Sequence, residues 1–433
     1  MTSKRAVDQV RSAPPGPKEP FRSSQDLFSW LGDNVAAYGG LFKAFVHGRP
    51  VYVVSAPDYV EHILRTHWTN YLRKGLVVQR ISLALGNNLI TSNGDTWVSH
   101  RRMIQGAFTK PAIARFGETM AAVNAELLEE WARAAKGQKT VNVTRDVSRA
   151  VLKITLQSIF GADYEAVASD FAVFADETAR DLKFVETLHP LRERVLQIVS
   201  RRRAENRLDD DILGITMQGR DRTSGDPMTD AQLGREVVNL VVAGHETTAS
   251  LINWMWFLLA ANPEAQAKLG RELDSDGHEE RPAIETFSEY IYARQVIDEA
   301  LRLYPPLWLM SRKAKANDSL GSYFVPAGTE IYISPYYIQR NPQFWESPDR
   351  FDPERMSIDN KSNRPELAFC PFGAGPRKCI GDVFARVEIQ MHLMMIAKRL
   401  RFCPCPTIRA EFVTGLNLLS KHDFIMLPEL RTG

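Results

Sequence analysis

The pattern that most constrains the fold is a long, largely apolar helical pattern from Thr229 to Ala261. Thr229 and Gln232 have the spacing of a capping box, in which two side chains bond each other's backbone N–H groups. Asn262 and Pro263 end the stretch, because proline cannot continue a helix. The pattern predicts a helix of about 33 residues, which is about 50 Å long. Since this helix is apolar nearly all round, we expect it to run through the middle of the molecule.

Shorter patterns predict a mainly α-helical chain with a small β region. Residues 41–55 alternate as in a β-hairpin, with His47 and Gly48 at the turn. Helical spacing starts at Pro57 and continues to about His67. It returns in four further stretches: Thr96–Phe108, Ile113–Ala135, Asp146–Phe160 and Val195–Asn206. Strands are expected at Tyr323–Ile333 and near 410–427, with another helix from Ile380 to about Leu400.

Composition and charge exclude several functions. The 433 residues include 54 Lys plus Arg and 52 Asp plus Glu, so the formal net charge is +2. A nucleic-acid-binding protein usually carries a larger basic excess. No run approaches the roughly 20 apolar residues of a spanning helix, and the N-terminus lacks the apolar core of a signal peptide. We therefore expect a cytoplasmic protein with no nucleic-acid partner and no membrane anchor.

The chain is expected to fold as one large domain. Residues 1–25 hold four prolines among Ser and Lys, which predicts a flexible or extended arm. Residues 26–433 show no internal repeat, and we interpret them as a single domain. The arginine run 201–203 and the aspartate run 209–211 are expected to be solvated surface.

The four cysteines lie together near the end of the sequence, as Cys370, Cys379, Cys403 and Cys405. This grouping is a poor disulfide framework for a long chain, and a cytosolic setting keeps thiols reduced. No two of them have the CxxC spacing typical of zinc sites. A role for one cysteine therefore has to come from its surroundings.

Cys379 lies in a glycine-rich segment, Phe372 to Gly381, directly before a predicted helix. There the helix dipole and free N–H groups lower the pKa of a thiol. Glycines at 373, 375 and 381 allow tight turns and close approach to a flat partner, and Arg377 is placed to meet an anion. The alternative is a buried apolar cysteine in a glycine-rich loop.

This segment resembles the cytochrome P450 family of haem-thiolate monooxygenases. The family signature Phe-x-x-Gly-x-x-x-Cys-x-Gly is matched by Phe372, Gly375, Cys379 and Gly381. The resemblance implies that the Cys379 thiolate binds the iron of haem b (iron protoporphyrin IX). It also implies a mainly α fold with a small β region, in which the haem lies between the long helix and the cysteine loop.

The long helix contains a second motif, from Ala243 to Thr248. Ala243 and Thr247 are four residues apart and share one helix face, where a small side chain lets a flat cofactor approach. The Thr247 hydroxyl can bond a backbone carbonyl and loosen the helix, and Glu246 can supply the protons that O–O bond cleavage consumes. The family pattern is fully matched, and it implies Thr247 and Glu246 as the alcohol and acid of oxygen activation. His245 is interpreted as a hydrogen-bonding partner between helices rather than a metal ligand.

Two further motifs follow the family order. Glu299 and Arg302 lie on one helix face, and the resemblance implies that both are buried and tied to Arg355 as a structural triad. Trp97 and Arg101 share a face and can both donate to a carboxylate. By resemblance they hold a haem propionate together with Arg312 and Arg377, and His100 can assist.

The substrate pocket is the least defined part of the site. By resemblance its walls come from about 75–90, 307–310, the helix motif and a turn near 420. The candidate wall residues are apolar, which favours a hydrophobic substrate: Val77, Val78, Ile81, Leu85, Leu307, Trp308, Leu309 and Met310. The segment between Phe160 and Thr229, which supplies the lid in this family, is shorter than expected and predicts a reduced lid.

The resemblance implies a monooxygenase that uses O2 to hydroxylate or epoxidise a hydrophobic small molecule of secondary or lipid metabolism. No flavin or ferredoxin module is visible, so electrons are expected from separate proteins such as ferredoxin and ferredoxin reductase. Arg102, Lys110 and Lys378 are candidate contacts for an acidic partner. Two alternatives remain open: oxidative coupling, desaturation or cyclisation without oxygen insertion, and a non-catalytic haem-binding sensor.

Overall fold

The computed structural model describes residues 12–175, 183–275, 284–403 and 409–431. Within these ranges the chain forms sixteen α-helices. They are, in chain order, α1 (Leu27–Tyr38), α2 (Pro57–Glu61), α3 (Leu76–Leu85), α4 (Gly94–Ile104), α5 (Lys110–Ala114), α6 (Gly117–Lys136), α7 (Val143–Phe160), α8 (Ala168–Phe171), α9 (Lys183–Ala204), α10 (Ile212–Gln218), α11 (Asp230–Ala261), α12 (Pro263–Asp274), α13 (Ile291–Leu303), α14 (Pro335–Ile338), α15 (Ile358–Ser362) and α16 (Asp382–Arg399).

The strands are short and form four small sheets within the described ranges. They are β1 (Leu41–Val46), β2 (Arg49–Val54), β3 (Tyr71–Leu72), β4 (Val141–Asn142), β5 (Met310–Ala314), β6 (Asp318–Leu320), β7 (Tyr323–Val325), β8 (Glu330–Ile333), β9 (Leu400–Cys403), β10 (Phe412–Thr414), β11 (Leu418–Ser420) and β12 (Ile425–Leu430). The largest sheet has the order β1-β2-β8-β5-β3, and a second has the order β4-β12-β9. The pairs β6-β7 and β10-β11 are separate hairpins. The predicted mainly α fold with a small β region is confirmed.

The long central pattern is confirmed as α11, which is 32 residues long. Its first turn carries the predicted capping box between Thr229 and Gln232. Along most of its length the helix is buried on all sides, with Trp254 and Trp256 fully enclosed. Its most extensive packing is against α7 and α9. A helix that is apolar all round can be stable in water only inside such packing.

The chain divides into two compact units. The first contains the described parts of residues 1–79, 308–348 and 364–378, and therefore the five-stranded sheet and the β6-β7 hairpin. The second contains the described parts of 80–307, 349–363 and 379–433, with most of the helices. The interpretation of residues 26–433 as one domain stays a prediction.

The first unit confirms the predicted hairpin and fixes part of the predicted arm. β1 and β2 pair antiparallel from Leu41 opposite Val54 to Val46 opposite Arg49. Residues 1–11 of the arm lie outside the described ranges. Farther along, Lys43 N donates to Pro15 O at 2.9 Å and Phe21 N to Phe45 O at 2.8 Å. This part of the predicted flexible arm is therefore held against β1 by backbone hydrogen bonds.

The prediction of solvated charge runs was wrong for Arg202 and Asp211. Arg202 is completely buried, and its guanidinium bonds Asp163 at 2.7 Å, Asp211 at 2.7 and 2.8 Å and Phe160 O at 2.7 Å. Asp211 also caps α10 by accepting from Gly214 N at 2.7 Å. The run of three arginines was misleading because its members differ: Arg203 is exposed, while Arg202 points into the protein.

Replacing Arg202 with methionine is expected to lower the free energy of unfolding by about 3–5 kcal/mol. The change leaves buried carboxylates without their main counter-charge, which is the costly way to break a buried ion pair. Arg203→Ala removes only an exposed pair with Asp230 and is the matched control, expected to cost about 1 kcal/mol or less. Chemical denaturation followed by circular dichroism measures both. Equal losses in the two variants would contradict a structural role for Arg202.

The segment between Phe160 and Thr229, which was predicted to supply the lid, holds three helices among its described residues: α8, α9 and α10. α9 is 22 residues long and packs against α11. α8 and the single turn that follows it end at Ala175, and residues 176–182 lie outside the described ranges. The reduced lid stays a prediction.

Among the described residues, none of the helices is both long and apolar enough to cross a membrane. The cytoplasmic location stays a prediction.

Candidate active site

The cysteine loop, residues 370–378, lies in the first unit and is built on tight turns. Gly373 N donates to Cys370 O at 3.0 Å, and Lys378 N donates to Gly375 O at 3.0 Å. Gly373 and Gly375 have φ values of 70° and 69°, which favour glycine. A Cβ at Gly375 would lie 1.9 Å from the carbonyl oxygen of Leu64. Both the backbone conformation and the close packing therefore require glycine at position 375.

The described cysteines differ in ways that single out Cys379. Cys370 is buried, and burial raises the pKa of its thiol to about 12, so it stays protonated. Cys403 is half-buried at the end of β9, and Cys405 lies outside the described ranges. Cys379 is exposed and lies three residues before the first residue of α16. An exposed thiol beside a helix N-terminus can ionise and bind a metal, as the sequence predicts.

Arg101 on α4 supplies positive charge near Cys379. Burial lowers the pKa of Arg101, and the negative charges of Cys379 and Asp382 oppose that shift. Trp97, one turn earlier on α4, is buried. The second unit thus brings Arg101 into the electrostatic environment of the Cys379 thiol.

Arg312 and Arg377 form a buried cluster of positive charge in the first unit. Burial lowers the pKa of Arg312 well below its ordinary value, and the charges of Arg73 and Arg377 lower it further. Burial, and then the charge of Arg73, lowers the pKa of Arg377 to about 9. Buried like charges repel, so a bound anion would stabilise this arrangement. The two carboxylates of a haem suit this cluster. Arg73 was missed in the sequence because a lone Arg-Lys pair gives no signal.

His100 requires a correction to its predicted role. Its Nδ1 lies 2.7 Å from Glu236 Oε1, and its Nε2 lies 3.3 Å from Gln232 Nε2. Glu236 is fully buried and also accepts from Leu89 N at 3.0 Å. Both ring nitrogens of His100 therefore face α11. We assign His100 to the contact between α4 and α11 rather than to a propionate.

The middle of α11 contains one turn that is less buried than the rest. Residues 242–244 and 246–247 are half-buried, while 236–241 and 248–256 are buried. Thr247 Oγ1 donates to Ala243 O at 2.7 Å, which is the bond to a backbone carbonyl that the sequence predicts. His245 points the other way, and its Nε2 lies 3.0 Å from Ser148 Oγ on α7. Ala243, Glu246 and Thr247 therefore lie at an opening in an otherwise enclosed helix.

Asn417 contacts Glu246 and was missed by the sequence analysis. It is 5% exposed, and its Nδ2 donates to Glu246 Oε2. The next residue, Leu418, is held through both its backbone carbonyl and its backbone N–H. Ser250 Oγ donates to Leu418 O at 2.7 Å, and Leu418 N donates to Pro306 O at 2.8 Å. Patterns near 420 predicted only a pocket wall, because a contact between residues 171 positions apart leaves no periodic signal.

Glu299, Arg302 and Arg355 are in contact, as the resemblance implies. Arg302 donates to both Glu299 oxygens at 2.7 and 2.8 Å, and Arg355 Nε donates to Oε1 at 3.0 Å. Glu299 Oε1 also accepts from Asp352 N at 3.0 Å. Glu299 and Arg302 are completely buried. These bonds tie α13 to the loop at 350–356.

The candidate pocket residues are mostly enclosed. Four are buried: Val78, Leu85, Trp308 and Met310. Three are half-buried: Ile81, Leu307 and Leu309. The side chain of Val77 lies outside the described part of the chain. Their assignment to a substrate pocket stays a prediction.

The chain is similar to known proteins along most of its length. A family model described as cytochrome P450 matches residues 20–174 and 166–423. The chain is 30% identical over 423 residues to cyclooctatin synthase of Streptomyces melanosporofaciens, covering 92% of this chain and 90% of that protein. It is 30% identical over 394 residues to cyclooctat-9-en-7-ol 5-monooxygenase of the same organism, covering 86% and 84%. Carotene epsilon-monooxygenase, a chloroplastic protein of Arabidopsis thaliana, is 28% identical over 446 residues, covering 92% and 80%.

Proposed function

Because the chain belongs to the cytochrome P450 family and is a monooxygenase of that family, we propose that it inserts oxygen from O2 into a hydrophobic small molecule. The observation that carries the proposal is the open turn of α11, where Thr247 bonds Ala243 O at 2.7 Å and Glu246 lies beside it. An alcohol and an acid at one opening of a buried helix suit proton delivery. A carrier or sensor has no need of them.

The proposed cofactor is haem b, with Cys379 as the ligand of its iron. This assignment is supported by the exposure of Cys379 near a helix N-terminus and by the burial of Cys370, which raises the pKa of that thiol to about 12. We propose that Trp97, Arg101, Arg312 and Arg377 bind the propionates, and that Phe372, Gly381 and Ala243 contact the ring. The charge cluster of Arg312 and Arg377 supports the propionate assignment. Bound haem supplies the redox chemistry that activates O2.

The residues of α11 supply the protons for this reaction. Asn417 holds the Glu246 carboxylate from one side, and the Thr247 hydroxyl is held by Ala243 O. Rotation of Thr247 away from that carbonyl would free its hydroxyl to donate a proton. Glu246, which is half-buried, would then replace the proton from solvent. In this order, Thr247 donates the proton, and Glu246 replaces the proton that Thr247 has lost.

The proposed substrate is rich in hydrocarbon and unsaturated. The names of two similar proteins refer to cyclooctat-9-en-7-ol and to carotene, so the oxidised molecules contain carbon–carbon double bonds. The predicted pocket residues carry no charge, which suits such a molecule. Electrons are proposed to come from a ferredoxin and its reductase. Arg102, Lys110 and Lys378 are exposed, as contacts with an acidic partner require.

Oxygen consumption by Thr247→Ala tests the proposal. With surrogate ferredoxin and reductase, the wild type is expected to couple NAD(P)H oxidation to product. The variant is expected to consume O2 but release most of it as peroxide, with coupling reduced about tenfold or more, because general acid groups contribute about 10²–10⁴-fold. Thr247→Ser keeps the hydroxyl and is the matched control. If no form consumes O2, the result would support a sensor. If the product has gained no oxygen atom relative to the substrate, the result would support oxidative coupling or desaturation.

A further inference from the structure

Three potential metal ligands lie together in the first unit, and none of them is among the residues assigned to the cofactor. His62 begins a π-helical turn (His62–Thr66) that follows α2, and His67 is the residue directly after it; we call residues 62–67 the histidine turn. Asp318 is the first residue of β6. One ligand atom from each of the three residues lies within 4.8 Å of the other two. π-helical turns are uncommon and are often found at functional sites.

His62 and Asp318 already form one arm of such a site. His62 Nε2 lies 2.8 Å from Asp318 Oδ2. Tyr71, which is 1% exposed, donates its hydroxyl to the same oxygen at 2.9 Å, and Ser319 N donates to Oδ1 at 2.8 Å. The carboxylate is therefore held in place by a buried phenol and a backbone N–H. Outer hydrogen bonds of this kind orient metal-binding carboxylates.

His67 completes the group, and Thr66 contacts one of its ring nitrogens. Thr66 Oγ1 donates to His62 O at 3.2 Å and lies 3.1 Å from His67 Nδ1. This contact engages Nδ1 and leaves Nε2 as the ring nitrogen available to a metal.

We propose that His62, His67 and Asp318 bind a divalent transition metal such as Zn²⁺. Two imidazoles and a carboxylate are a preferred donor set for zinc, and water supplies the fourth ligand. The metal would lie between His62 Nε2 and Asp318 Oδ2, in place of their direct contact. Zn–N and Zn–O distances of about 2.0–2.2 Å require these two atoms to separate slightly. The rings of His62 and His67 are stacked with centroids 3.9 Å apart, and the exposed His67 ring can tilt to aim Nε2 at the ion.

The site would act on the loop that precedes the proposed haem ligand. The Leu64 carbonyl in the middle of the histidine turn is the atom that leaves no room for a Cβ at Gly375. Arg65, on the same turn, binds the Glu366 carboxylate through two nitrogens. A metal that ties the histidine turn to β6 would therefore stiffen the support of the cysteine loop.

Calorimetric titration of the purified holoenzyme with zinc chloride tests the site. The wild type is expected to bind one Zn²⁺. His67→Ala, which changes an exposed side chain, is expected to weaken binding by more than about 100-fold. Tyr71→Phe, which removes only an outer bond, is expected to weaken it about 10-fold. His47→Asn is the matched control, because His47 is another exposed histidine of the first unit and Asn tolerates its positive φ.

Two outcomes of the titration would overturn the proposal. One is no zinc binding by the wild type at 100-fold excess over protein, and the other is equal binding by the wild type and His67→Ala. The thermal midpoint gives a second measurement. Zinc is expected to raise it in the wild type and His47→Asn but not in His67→Ala, because a ligand stabilises only the state that binds it. A zinc-induced rise of the same size in His67→Ala would also overturn the site.

Discussion

Replacement of Cys379 by serine is expected to abolish the red-shifted carbon-monoxide spectrum of a thiolate-bound haem and all monooxygenase activity. Serine keeps the size of the side chain but has no ionisable sulfur, so it cannot supply the electron-donating ligand on which O–O bond cleavage depends. The spectrum of the reduced protein with carbon monoxide measures the ligand directly. Product formation measures its consequence.

Two other cysteines serve as controls for this prediction. Cys403→Ser changes a half-buried thiol at the end of β9 and is expected to leave the spectrum unchanged. Cys370→Ala removes a buried thiol that stays protonated, and it is expected to affect stability rather than the spectrum. Retention of the red-shifted spectrum by Cys379→Ser would overturn the ligand assignment. Its loss in Cys403→Ser would do the same.

Local signals predicted the parts of this structure that depend on nearby residues. The capping box and the Asn-Pro pair locate the two ends of α11, and both can be recognised directly from the residue types in the sequence. Gly375 could be assigned because its turn has a positive φ, which glycine adopts without steric cost. In each case the cause and the effect lie within a few residues of the chain.

Contacts between distant residues could not be predicted in the same way. Arg202 looked like a surface residue because Asp163, the carboxylate that holds it, lies 39 positions earlier. Both ring nitrogens of His100 face α11, although its place beside Arg101 suggested a propionate. Asn417 lies in a turn between two strands of only three residues, which give no periodic pattern. The sequence shows which polar and charged side chains need a partner if they are buried, but only the fold determines which residues supply those partners.

The contact between Asn417 and Glu246 leads to the second large expected effect. Glu246→Gln is expected to lower the rate of coupled product formation by about 100-fold or more, because it removes the acid that resupplies protons. Asn417→Leu preserves the approximate volume of the side chain but removes its N–H donor. It is expected to lower the same rate about tenfold without changing substrate binding, since the acid is present but less well held. Product rates and spectral substrate titrations separate the two effects.

The double variant decides whether Asn417 acts through Glu246. If it does, Glu246→Gln combined with Asn417→Leu is expected to be no slower than Glu246→Gln alone, because nothing is left for Asn417 to position. Residues that act in one network are non-additive in this way, whereas independent residues multiply their effects. Ser250→Ala is the control, because Ser250 anchors the same turn through Leu418 O but does not bond the acid. A further tenfold loss in the double variant would show that Asn417 acts by supporting the turn and not by positioning Glu246.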